Sequence, residues 1–99
     1  MKMEKIYEVE LINQNEKGEI TFSNSWNYES VYCRTMKEAF SLANKYKDDG
    51  KTQENYDYVL INCCEFAEPV KLDKNNRLAD RDIECLESEC VVEISLNDN

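Results

Sequence analysis

The chain has 99 residues, with 21 carboxylates against 12 bases for a net charge of −9, ten aromatic side chains, five cysteines and no histidine. That length holds one core and leaves no room for a second, and the aromatic content excludes wholesale disorder. The acidic balance disfavours direct binding to nucleic acid or to an anionic membrane, and the lack of histidine removes the commonest general base, the Ser-His and Cys-His nucleophile pairs and every His-containing metal site.

Ile6–Ile12 alternates, with Tyr7, Val9 and Leu11 on one face and Glu8 and Glu10 on the other, which predicts a half-buried strand. Asn13–Gly18 has turn chemistry, and Glu19–Ser23 returns antiparallel as a hairpin. The same parity runs on through Trp26 and Tyr28, so this strand is long, bent or interrupted near Asn24-Ser25. Val31-Tyr32-Cys33 fits a further short strand. Thr35-Met36-Lys37-Glu38 matches a capping box, and Met36, Ala39, Phe40, Ala43 and Tyr46 follow at helical spacing, with Leu42 widening the stripe. A helix over Thr35–Asp49 is therefore expected, with Lys45 and Lys47 near its end and Gly50 just past it. Lys51–Asn55 reads as a polar connection.

Tyr56–Phe66 is the stretch the rest is organised around. Val59-Leu60-Ile61 is apolar on consecutive residues, so both faces of an extended chain are covered there, and neither Gly nor Pro interrupts it: a central strand. Pro69 ends it, Val70-Lys71-Leu72 fits a short strand, and Asp73–Asn76 fits a turn. Asp80–Glu89 supports two readings, Ile83 with Leu86 as a helical turn or Ile83 with Cys85 as a strand. Cys90–Leu96 alternates and reads as a final strand. The sum is a single α+β domain over residues 1–99: an antiparallel sheet of four to five strands with one α-helix packed on one face, in β-β-α-β-β order.

Cysteine spacing argues against a zinc site. Cys63 and Cys64 are adjacent, which on a strand sends them to opposite faces, and Cys85 and Cys90 lack the tight knuckle spacing of structural zinc. Reduced structural thiols are expected, with Cys63 and Cys90 buried and Cys64 on a second buried face. Met1–Tyr7 lacks the apolar core of a signal peptide, and no run reaches the length of a membrane span, so a cytoplasmic protein is expected. Asp73, Asn75 and Asn76 near Asp80 and Asp82 miss the Gly and closing Glu of a calcium loop, and two glycines in all make no phosphate-binding loop. No metal, no cofactor, no catalytic residue and no enzymatic activity are expected.

Binding is the remaining class. Residues 80–99 hold seven acids against one base. Glu84, Glu87, Glu89 and Glu93 are the first candidates for a charged contact surface, with Glu8 and Glu10 second. Carboxylates two residues apart on a strand stand about 6.5–7 Å apart, a spacing close to that of neighbouring phosphates, which a basic groove accepts with fast, steered association. The plain alternative is an ordinary solvent-facing side of a sheet. Trp26 and Tyr28, set among small polar residues of Ser23–Ser30, are candidate apolar anchors; alternatively, Trp26 continues the buried face of the second strand.

In size, charge and layout the whole chain resembles the small accessory proteins of phages from low-GC bacteria. Anti-CRISPR proteins are the best-known functional group among these, and several are acidic plugs on the nucleic-acid or PAM-reading surfaces of Cas effectors. The resemblance implies a non-enzymatic, phage-encoded inhibitor in the host cytoplasm that binds a basic, nucleic-acid-binding surface of a CRISPR-Cas nuclease, whose channel holds its heteroduplex through positive charge. It carries over no individual residue. A reading of another class is a structural or assembly module that homodimerises through an aromatic patch or a sheet edge, Cys90–Leu96 being the candidate edge.

Overall fold

Sequence alternation becomes a five-stranded antiparallel sheet in the computed structural model, which describes residues 4–97. The elements in chain order are β1 (Glu4–Gln14), β2 (Ile20–Ser23), a 3-10 turn (Asn24–Asn27), β3 (Val31–Cys33), α1 (Met36–Asp48), α2 (Gly50–Asn55), β4 (Tyr58–Phe66) and β5 (Cys85–Ser95). The strand order is β2-β1-β4-β5. β4 pairs with β1 along one edge from Tyr58 to Phe66, so β3, paired at Tyr7–Val9, shares the opposite edge of β1 with β2, paired at Ile12–Gln14. The fold is α+β, with one main helix against the sheet, as the sequence implies.

The helix forms where its signals lie. Thr35 is extended (φ −129°), its Oγ1 accepts from the Glu38 N–H at 3.2 Å, and the same hydroxyl donates to Glu38 Oε1 at 2.9 Å. Ala39 and Ala43 are fully buried, and these short side chains let α1 lie close on Val9, Leu11, Val59 and Ile61, with Met36, Leu42 and Tyr46 at the margins. Phe40 departs from the expected stripe and is exposed. Gly50 does not close the helix in a left-handed conformation. Asp49 (φ −93°) ends α1 and caps the next helix, its Oδ2 accepting from Thr52 N at 3.2 Å and Thr52 Oγ1 at 2.7 Å. Asp is a strong N-cap, so Lys51–Asn55 is helical rather than a loop.

β4 is central and covered on both faces, as expected, but so is β1. Behind the sheet, away from α1, Ile6, Tyr32, Cys64, Phe66 and Val70 form a second core packed by Leu72, Leu78 and Ile83. From sequence, Asp80–Glu89 allows two readings, and Val70–Leu72 is expected as a short strand. Cys85–Glu89 belongs to β5 and is not helical, and Val70–Leu72 contributes only a bridge between Leu72 and Leu78. Among the described residues, no helix is long and apolar enough to cross a membrane.

Candidate protein-binding surface

The hairpin return leaves the sheet at Asn24. Asn24 is buried and its Oδ1 accepts from the Leu11 N–H at 3.0 Å, a ladder position that a backbone carbonyl would otherwise fill. With that donor taken by a side chain, the chain turns out of the strand. Ser23 Oγ caps the turn by accepting from Ser25 N at 3.0 Å, and Tyr28 closes it in the left-handed region (φ 57°). Strand parity therefore stops before Trp26. That side chain does not continue the buried face: it is 58% exposed, edge-on to Phe22 at 6.0 Å, and Tyr28 is 48% exposed with the Arg81 guanidinium 4.4 Å over its ring. Two aromatic faces thus stand on one short turn beside the sheet.

Beneath that turn lie Glu8 and Glu10. Asn62, from the neighbouring position on β4, donates its Nδ2 to both, at 3.0 Å to Glu8 Oε1 and 2.8 Å to Glu10 Oε1. Glu8 Oε2 accepts from Ser30 Oγ at 2.6 Å and Tyr32 OH at 3.2 Å, while Glu10 Oε2 accepts from Ser23 Oγ and from Ser25 Oγ at 3.0 Å. Five donors satisfy two carboxylates, and no lysine or arginine is paired with either among the described residues. This corrects the expected placement of Glu8 and Glu10 on a solvent-facing side: Glu8 is only 8% exposed and Glu10 is partly buried. The reason is the cover laid over their face by Ser23–Tyr32. Their partners sit at both ends of the aromatic turn, so the two carboxylates pin it. The Tyr32 hydroxyl is pushed far above its ordinary range, chiefly by burial, with the Glu8 charge adding to it.

The remaining candidates all lie on or beside β5. Cross-strand neighbours share a face, and Glu87 stands opposite Glu65, Glu89 opposite Cys63, and Glu93 opposite Leu60. Glu87 and Glu89 therefore point to the α1 side, whereas Glu93 points to the other. Glu84 precedes the strand, its carbonyl accepting from Ala67 N at 3.1 Å. All four are exposed, and none is in an ion pair among the described residues. Glu65, Glu87, Glu89 and Cys63 line a shallow depression of about 120 Å³ with Lys5, whose Nζ lies 3.5 Å from Glu65. Three carboxylates there face one ammonium group.

Cys33 and Cys64 are buried, Cys63 is partly so, and Cys85 and Cys90 are exposed, which corrects the expected burial of Cys90. Burial pushes the Cys64 thiol up to about 12 and raises those of Cys33, Cys85 and Cys90. Raised thiols are poor nucleophiles at neutral pH. Among the described residues, no three His, Cys, Asp or Glu side chains are grouped to hold a metal ion.

Asn62, Ser30 and Ser23 were not singled out from sequence. The signal for Asn62 was present: an amide in the middle of an apolar central strand requires buried polar partners. Comparison with protein-family models, with curated proteins and with solved structures gives no match.

Proposed function

We propose that this is a non-enzymatic binding protein that docks on a basic, nucleic-acid-binding surface of another protein and keeps nucleic acid off it. The observation that carries the reading is the state of Glu84, Glu87, Glu89 and Glu93: exposed, in no ion pair among the described residues, and set on or beside the edge strand β5. Charge left unneutralised at a surface steers association with the opposite sign, and it does so without needing a deep pocket. Trp26 and Tyr28, held on a pinned turn, supply rigid apolar contacts of the kind that dominate interface energetics. The raised thiols speak against a cysteine nucleophile. A CRISPR-Cas nuclease is the target class suggested by the resemblance in size, charge and layout.

Order of addition tests the reading. The protein is incubated with a Cas effector either before or after its guide and target are loaded. Inhibition of cleavage when the protein is added first, relieved by prior loading, supports competition for the nucleic-acid surface. Equal inhibition in both orders, or binding only to effector regions that carry no nucleic acid, contradicts it.

A further inference from the structure

β5 is the most exposed strand of the sheet, and its outer edge is open among the described residues. Among the described residues it pairs with β4 alone. Eleven residues with a free edge present a row of unpaired N–H and C=O groups, the template on which another strand adds. The Lys47 ammonium donates to the Ser95 carbonyl at 2.9 Å and closes the carboxyl end of the strand, leaving the stretch before it accessible.

Two properties of β5 define what fits it. Its pairing with β4 skips one residue between Val92 and Cys90 and another between Glu87 and Cys85, so Val91 and Leu86 are the extra residues of two bulges. Bulges re-aim side chains, and these two are the exposed large apolar residues of the strand. The second property is charge: Cys85–Ser95 contains Glu87, Glu89 and Glu93 and no base. A second copy of the chain is a poor match. In the antiparallel register that pairs all eleven residues with themselves, Cys90 faces Cys90 and the two strands bring six carboxylates and no base to one seam, a like-charge repulsion that disfavours the pairing although Glu87 and Glu93 lie on opposite faces. An added strand must therefore bring the opposite sign.

We propose that β5 accepts an extended, basic segment of the partner protein, which adds to the sheet as a further strand with Lys or Arg at alternate positions facing Glu87 and Glu89. One of those cations enters the depression lined by Lys5, Cys63, Glu65, Glu87 and Glu89, where three carboxylates outnumber the single ammonium group, while apolar residues of the segment meet Leu86 and Val91. This inference rests on the reading of an acidic surface for a basic partner and adds a binding mode to it.

The test uses the wild-type protein and two synthetic peptides of equal charge. The first alternates Lys with Val or Thr over about ten residues, a length matched to the strand at roughly 3.3 Å per residue. The second is the same peptide N-methylated at every central amide, so that neither of its edges can donate. Titration calorimetry at low and moderate salt is combined with hydrogen exchange at β5. The expected result is that the first peptide binds and slows exchange of β5 amides, and that methylation weakens binding at least ten-fold. Equal binding of the two peptides overturns strand addition while leaving the acidic-surface reading intact. Binding of neither overturns strand addition, and it overturns the acidic-surface reading as well if a folded basic protein also fails to bind. Protection of β5 without peptide, rising with protein concentration, assigns the edge to a second copy instead.

Discussion

Replacing Asn62 by Leu keeps the side chain's branched outline, though in a bulkier form, and removes the amide that bridges the two carboxylates. The wild-type Nδ2 donates at 3.0 Å to Glu8 and 2.8 Å to Glu10, and the residue is buried. A hydrogen bond to a charged group contributes about 1.5–3 kcal/mol, so losing both costs roughly 3–6 kcal/mol. The apolar Leu returns about 1–2 kcal/mol through burial. A net loss of about 3 kcal/mol is expected, a large share of the 5–15 kcal/mol typical of a domain. Urea denaturation followed by far-UV circular dichroism reads this as a midpoint lowered by about 1.5–2 M at a slope of roughly 1.5–2 kcal/mol/M. The control is Asn55→Leu, whose amide donates only to the exposed Lys51 carbonyl at 2.8 Å, and which should change stability by no more than about 0.5 kcal/mol. Trp26 is the sole tryptophan, so its fluorescence reports separately on the turn that Glu8 and Glu10 hold. A loss below about 1 kcal/mol for Asn62→Leu, with unchanged Trp26 emission, would refute the claim that this buried network pins the aromatic turn.

Other consequences follow from the same geometry. Trp26→Ala and Tyr28→Ala remove exposed side chains, so thermal stability should move little, while affinity for the partner falls about ten- to hundred-fold; a large stability loss with unchanged binding would make these residues structural. The folded Cys64 thiol titrates at about 12, raised from an ordinary 9.0. Its stabilising contribution is complete below pH 9 and is lost as the pH rises towards 12, because only the unfolded chain releases the proton in that window. Urea midpoints measured from pH 8 to 11 should therefore fall more steeply for wild type than for Cys64→Ala; parallel slopes would contradict the assignment. Alkylation at neutral pH should be slow at Cys33 and Cys64 until the chain unfolds, and fast labelling of either would show an activated thiol.

The local signals in this sequence proved reliable and the long-range ones did not. The capping box at Thr35–Glu38 and the alternation of Tyr7, Val9 and Leu11 are properties of neighbouring residues, and each produced its element. What alternation could not show is that the Glu8 and Glu10 face would also be covered. The cover comes from Ser23–Tyr32 and Val70–Ile83, segments without periodicity, whose position is set by tertiary contacts such as Asn24 to Leu11 and Tyr32 N to the Asn76 carbonyl at 2.7 Å. The start of β5 was obscured by its bulges. Leu86 and Val91 each shift the parity by one residue, so Ile83 and Leu86 imitate a helical turn while Cys85–Glu89 is extended. α1 stops where the Gly50 signal puts its end, but Asp49 closes it and at once caps a second helix, which the signal did not show. Of the candidate site, the acids of β5 and the two aromatics were legible because composition alone marks them. Their division between the two faces of the sheet was not, since it depends on a register that only the β4 pairing sets.

On the reading proposed, the carboxylates of β5, in no ion pair among the described residues, draw a basic protein surface to the molecule. Stopped-flow association of the wild type and of Glu87→Lys/Glu89→Lys with a basic effector, across ionic strengths, addresses this reading most directly. Wild-type association should slow steeply as salt rises, and the reversed variant should associate about ten-fold or more slowly at low salt with a nearly flat salt dependence. Identical rates and identical salt slopes for the two proteins would contradict it.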